Sequence, residues 1–213
     1  MKKINWQYTF AEILIVIVGI TIAFSLNKCS DNSKNKALKL QYLTSLKNDI
    51  EADKKQLQNN VLAITEKIKL CGEVIDLLNK DMPQKMGAIN KLFKIAVLSN
   101  FDAKDITYKT LINSGDFKLI DDFELKTAIE EHYSDYEIML KAYQRQENIH
   151  KEHLGNYLIH NADYDAFAIG KFGFENEKLL KNIIQSIRGS LLIKLKATKK
   201  GIGSCDNLLF ALQ

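Results

Sequence analysis

From Tyr8 to Leu26 the chain carries one charged residue, Glu12, and is otherwise built around Ile13-Leu-Ile-Val-Ile-Val-Gly-Ile-Thr-Ile-Ala-Phe24. Counted from Trp6, the stretch is about 20 residues. At about 1.5 Å per residue a helix of that length crosses the hydrocarbon layer of a bilayer. Trp6 and Tyr8 suit one headgroup region and Lys28 the other. The segment is therefore expected to be a transmembrane helix. Two other readings of the same residues stay open. Ala23-Phe24-Ser25 has the small-x-small form of a signal-peptide cleavage site. Cys29 stands where the acylated cysteine of a lipoprotein would, although Asn27 and Lys28 replace the small residues that normally precede it.

Projected at about 100° per residue, Glu12, Val16, Gly19, Ala23 and Asn27 fall on one stripe of this helix. The stripe combines the span's acidic group with small residues that let a second helix approach closely. A carboxyl group is costly in lipid, so Glu12 is a candidate for partner contact. The alternative is that it reaches back to the interface near Lys2 and Lys3.

The rest of the chain reads as helix. It holds a single proline, and few other residues break a helix interior. Charged residues make up 26% and the net charge is only +4. The lysines are interspersed with acids, which argues against a nucleic-acid partner. Leu43, Leu46, Ile50, Asp53, Leu57, Val61, Ile64, Ile68, Cys71, Ile75 and Leu78 follow spacings of three and four. Asp53 alone breaks the apolar stripe, and an extra step of four near Leu57 resembles a stutter. Such a seam fits either a coiled coil with a second copy or the core face of a bundle helix. It ends at Asp81-Met-Pro83.

A second helix is expected over 84–99, with Met86, Ile89, Phe93 and Val97 in register. A third is expected over 102–113, stopped by Ser114-Gly115. Asp121-Asp122 can cap a fourth helix carrying Leu125, Ile129, Tyr133, Tyr136, Leu140 and Tyr143. A loop over 161–173 and a last helix from Asn176 toward Lys199 follow, with Gly201 and Gly203 expected to interrupt it. No alternating strand pattern appears. The expected fold is all-α: an N-terminal transmembrane helix (1–27), a long coiled-coil-like helix (28–82) and an antiparallel helical bundle (83–213). Cys71 and Cys205 are expected to be small buried side chains, with a disulfide between them left open.

The segment Glu12–Ala23, the long helix after it, and Thr107-Tyr-Lys-Thr-Leu-Ile-Asn-Ser-Gly115 leading to Leu119-Ile120 resemble a family of uncharacterised single-span membrane proteins. The family is common in Bacteroidetes-type bacteria and carries a domain of unknown function. The resemblance covers about the first two thirds of the chain. It implies an inner-membrane protein with its helical body in the periplasm, and it implies no activity. The leader, with only Lys2 and Lys3, is less basic than the family pattern. Counted literally, Lys28, Lys34, Lys36 and Lys39 would put the body in the cytoplasm. The shared motif Thr107–Gly115 reads as a short helix with a fixed stop, in which Tyr108, Leu111 and Ile112 would pack inward, Gly115 would be left-handed and Leu119-Ile120 would re-enter the core.

Of the patterns that carry chemistry, Glu147-x-x-His150-x-x-His153 is the most metal-like, since residues three apart share a helix side. It lacks the second motif of bundle di-iron proteins, so an exposed polar face is the preferred reading. Asp163-Tyr-Asp165 lacks the glycine of a calcium loop. Gly170-Lys-Phe-Gly173 and Gly201-Ile-Gly203-Ser lack phosphate-loop spacing. The expectation is a non-enzymatic, membrane-anchored scaffold or accessory subunit without a cofactor. Its partners would be lipid and further copies of itself or another membrane protein, met through Glu12, Gly19, Ala23, Asn27 and the seam. A sensor-like ligand pocket lined by Tyr133, Tyr136 and Tyr143 is the alternative. A metal enzyme using Glu147, His150 and His153 is a third reading.

Overall fold

The computed structural model describes residues 6–213, with side chains from Phe10 onward except that of Ala11. The interface roles expected of Lys2, Lys3, Trp6 and Tyr8 lie outside the described residues. The fold is all-α: helices α1 (Trp6–Leu78), α2 (Gly87–Ala96), α3 (Ile106–Asn113), α4 (Phe123–Ile149), α5 (Asn156–Asn161), α6 (Tyr164–Ala168) and α7 (Glu177–Ala211). Short 3₁₀ turns cover Gln84–Met86 and Asp116–Leu119, and a π-helical turn covers His150–Gly155. Among the described residues, β pairing is limited to one bridge, Ala162 to Phe174.

Two compact units emerge. One gathers Met1–Leu46 with Thr107–Asp121, the other Lys47–Ile106 with Asp122–Gln213. In the first, Lys39 pairs with Asp121 at 3.1 Å and the Tyr42 hydroxyl donates to Asp116 at 2.9 Å. Leu111 and Ile120 are buried and Gly115 is left-handed at φ 73°, as the motif requires; Ile112, expected to face inward, is exposed. Its position next to Leu111 turns it about 100° away from the buried face.

The second unit is a bundle. Asp122 caps α4 by accepting from the Leu125 amide. His132 and Tyr136, early in α4, meet Ser204 and Cys205 late in α7, whereas Tyr143 and Gln146 further along α4 meet the earlier Thr198 and Lys194, so these helices are antiparallel. Gly201 makes their close approach possible: a Cβ there would stand 2.6 Å from Met139 Sδ and 3.4 Å from Leu57 Cδ1. The expected break at Gly201 and Gly203 therefore does not occur, because packing keeps α7 continuous through both.

The expected second helix also differs. It starts as a 3₁₀ turn and ends at Ala96, burying Ala88, Leu92 and Ile95 instead of the expected register; Phe93 and Val97 are exposed. Residues 97–105 form neither helix nor strand, so α3 begins at Ile106 rather than 102. Part of the expected 161–173 loop is the short helix α6, capped by Asp163 accepting from the Ala166 amide.

Candidate functional site

On α1 the buried residues Leu46, Ile50, Asp53, Leu57, Asn60, Ile64, Lys67, Cys71, Val74 and Leu78 follow one another in alternating steps of four and three, with Leu70 buried beside them. This is an unbroken heptad repeat. The stutter expected near Leu57 does not exist. The real seam passes through Asn60, Lys67 and Val74, whereas Val61, Ile68 and Ile75 beside them are only half-buried. Three consecutive polar residues of one heptad position, Asp53, Asn60 and Lys67, are thus inside the bundle.

Each has a defined task. Both carboxylate oxygens of Asp53 accept from the Lys104 amide, at 3.0 and 3.1 Å. Asn60 Nδ2 donates to Asn100 O at 2.9 Å, and Lys67 Nζ donates to Val97 O and to Ser99 Oγ at 2.8 Å. From α7, Lys194 Nζ donates to Ser99 O at 2.5 Å. All these partners lie in 97–105, an extended strap running antiparallel to α1. The lengths match: seven extended residues from Val97 to Lys104 cover about 23 Å, and fourteen helical residues from Asp53 to Lys67 about 21 Å. A strap without helix or strand pairing needs partners for its backbone polar groups, and the heptad side chains supply several of them.

The opposite wall follows the same repeat. Tyr136 and Tyr143 on α4 and His150 at the start of the π turn are seven apart and lie level with Asp53, Asn60 and Lys67. Asn60 Nδ2 donates to the Tyr143 hydroxyl at 3.2 Å, which meets Thr198 Oγ1 at 3.0 Å. Tyr136 OH meets Cys205 Sγ at 3.2 Å. Phe101 of the strap stands edge-on to Tyr136, with centroids 5.2 Å apart, and tilted to Tyr143 at 6.3 Å. The tyrosines proposed as a pocket lining are buried, and Phe101 packs against two of them, Tyr136 and Tyr143.

Lys194 is 1% exposed. Its ammonium also donates to Gln146 Oε1 at 2.5 Å and lies 3.9 Å from the Tyr143 ring centroid. Burial first, and then the charge of Lys67, pull it down from 10.5 to about 7. Burial likewise lowers Lys67. Asp53 is pushed up to about 6, chiefly by burial, with Asp49 adding repulsion against the bonds from Lys104 and Tyr136.

The metal-like trio does not assemble. The π turn begins at His150 and breaks the regular spacing toward His153. His150 is buried with Nδ1 on Gln146 O at 3.0 Å and Nε2 on Ile95 O at 3.1 Å. Glu147 pairs with Lys151 at 2.6 Å, and His153 is exposed. Among the described residues no three His, Cys, Asp or Glu side chains are placed to hold a metal ion. Cys71 and Cys205 are free and buried; burial pushes their thiols up to about 12 and about 11.

Glu12, Gly19, Ala23 and Asn27 are all exposed along α1, and space around a Cβ at Gly19 is open to 4 Å. The apolar residues from Phe10 to Leu26 are exposed too, on the one helix among the described residues long and apolar enough to cross a membrane, with mean hydropathy 2.0. Thr21 and Ser25 turn their hydroxyls onto the carbonyls of Ile17 and Thr21, both at 2.8 Å. Such back-bonding leaves no hydroxyl wanting water.

The sequence reading missed Asn60, Lys67, Ser99, Gln146 and Lys194. The available signal was the seven-residue spacing of Asp53, Asn60 and Lys67.

A family model described as "Family of unknown function (DUF6090)" matches residues 12–155, more than half of the chain, and the chain belongs to that family. The match runs from Glu12 through the strap and α4 to the end of the π turn, leaving α7 outside. No curated protein and no solved structure matches the chain.

Proposed function

From that membership, we propose that the protein is a non-catalytic, membrane-anchored helical scaffold or accessory subunit. It sits in the bacterial inner membrane by one span, with its body in the periplasm. The observation that carries this reading is a contrast within α1. Over 46–78 its seam is closed on the chain's own strap and helices, while over 10–26 every described apolar side chain is exposed. The body's seam is thus occupied and is withdrawn as a coiled-coil surface for a second copy. Lipid and a neighbouring transmembrane helix remain as what covers the apolar segment, and the stripe of Glu12, Gly19, Ala23 and Asn27 is the face on which helices approach closely.

The association is tested by crosslinking in native membranes. Gly19→Leu fills the stripe and is expected to reduce the crosslinked species several-fold; unchanged crosslinking removes the stripe as the contact. Topology is tested with the protein's own cysteines. Cys29 is exposed just past the span, whereas Cys71 and Cys205 are buried. A membrane-impermeant maleimide is expected to label Cys29 in intact spheroplasts. Labelling only after permeabilisation would put the body in the cytoplasm.

A further inference from the structure

We propose that residues 97–105 are a releasable strap, opening as a unit while α1, α4 and α7 stay packed, with proton binding at Lys194 setting how often it opens. The inference concerns the body alone and does not depend on the anchoring reading.

The first ground is how the strap is held. The helices beside it carry their own backbone hydrogen bonds, but the strap has no helix or strand pairing. Its grip comes from side chains: Asp53 on the Lys104 amide, Asn60 on Asn100 O, Lys67 on Val97 O, and Lys194 on Ser99 O. Phe101 is its one fully inserted side chain, while Val97 at one end and Asp102 and Lys104 toward the other are exposed. Segments held by few buried contacts open at lower free energy than the elements around them.

The second ground is the charge inside. Lys194 faces Lys67 from α1, Tyr143 and Glu147 from α4, His150 from the π turn, and only uncharged groups of Ser99 from the strap. Glu147, the sole acid among these, is engaged by Lys151 on the surface. Gln146, wholly buried, gives its oxygen to Lys194, and its amide nitrogen has no partner. At the other end, Asp53 faces Asp49 from its own helix, Tyr136 from α4, Cys205 from α7 and Lys104 from the strap. Each end therefore holds a buried charge without an opposite charge buried against it.

The signs follow from linkage. Closed, Lys194 prefers to be neutral, with its value drawn from 10.5 to about 7. Its disfavour for closure is full below about 7 and fades as pH rises from there toward 10.5. Closed, Asp53 prefers to be protonated, with its value raised from 3.8 to about 6. Its disfavour is full above about 6 and fades as pH falls toward 4. The strap is thus most weakly held between about pH 6 and 7, and firming it takes loss of a proton at Lys194 or gain of one at Asp53.

Amide hydrogen exchange on the full chain in detergent tests this, comparing peptides covering 97–105 with those of α4 and α7 after correction for intrinsic exchange. At pH 6.5 the strap is expected to open far more often than the helices. At pH 8.5 its opening constant should fall about tenfold. Lys194→Met should reduce this dependence above pH 7 to the part that buried Lys67 contributes, and Asp53→Asn, which keeps an acceptor, should remove the dependence below pH 6. The proposal is overturned if wild-type strap and helix peptides exchange at one rate at both pH values. It is equally overturned if the strap's pH response above 7 is undiminished in Lys194→Met.

Discussion

Asn60 shows how much one side chain can decide. Placed where a heptad calls for an apolar residue, it serves a strap carbonyl and a tyrosine hydroxyl at once. Removing it leaves both without that partner inside the protein, a loss of about 1–3 kcal/mol. Asn60→Ala should lower the denaturant midpoint by a corresponding amount, while an exposed neighbour such as Asn59→Ala should change it little. Gly201 acts through absence. In Gly201→Ala the new methyl group meets Met139 Sδ, so stability should fall, by about 1–3 kcal/mol if the thioether does not swing aside. Little change in a urea titration would mean that Met139 yields freely. Lys194 makes stability depend on pH. Because its folded value is lowered, ΔG of unfolding should rise from pH 7 toward 10, by up to about 1.4 kcal/mol per unit. In Lys194→Met that rise should shrink to what buried Lys67 contributes. His132, held at about 4 by burial, adds a rise between about 4 and 6.5 that opposes the contribution of Asp53.

Helical character was legible along the chain because apolar spacings of three and four are written directly in the residues, and the cap at Asp122 and the left-handed Gly115 followed from local chemistry. The seam was legible only in part. A reader following apolar residues steps from Leu57 to Val61 and then to Ile68, since nothing local shows that Asn60 and Lys67 point inward. Their inward direction is set by the strap, a partner more than thirty residues away. The strap itself was hidden because its residues lie between two helices and were assigned to their ends. Tertiary hydrogen bonds, not local preference, hold it extended. The same argument covers α7, where Gly201 reads locally as a break but is a point of close packing against Met139 and Leu57. The Glu147, His150 and His153 spacing was legible as a pattern, but the π turn that separates its members gives no local sign.

At the scale of the whole molecule, α1 has two stretches of different character: one exposed and apolar, the other amphipathic, with its heptad seam closed on the chain's own interior. The test that reaches this division most directly is a cysteine scan along α1 in native membranes, in a background with Cys29 replaced by serine. Asn27→Cys and Ser30→Cys lie on the stripe, whereas the native position 29 is turned about 120° from its centre. Strong disulfide crosslinking is expected from 27 and 30, with little from a cysteine restored at 29 or placed at exposed body sites such as Glu51 and Glu66. Equal crosslinking around the whole helix, or crosslinking confined to the body sites, would contradict it.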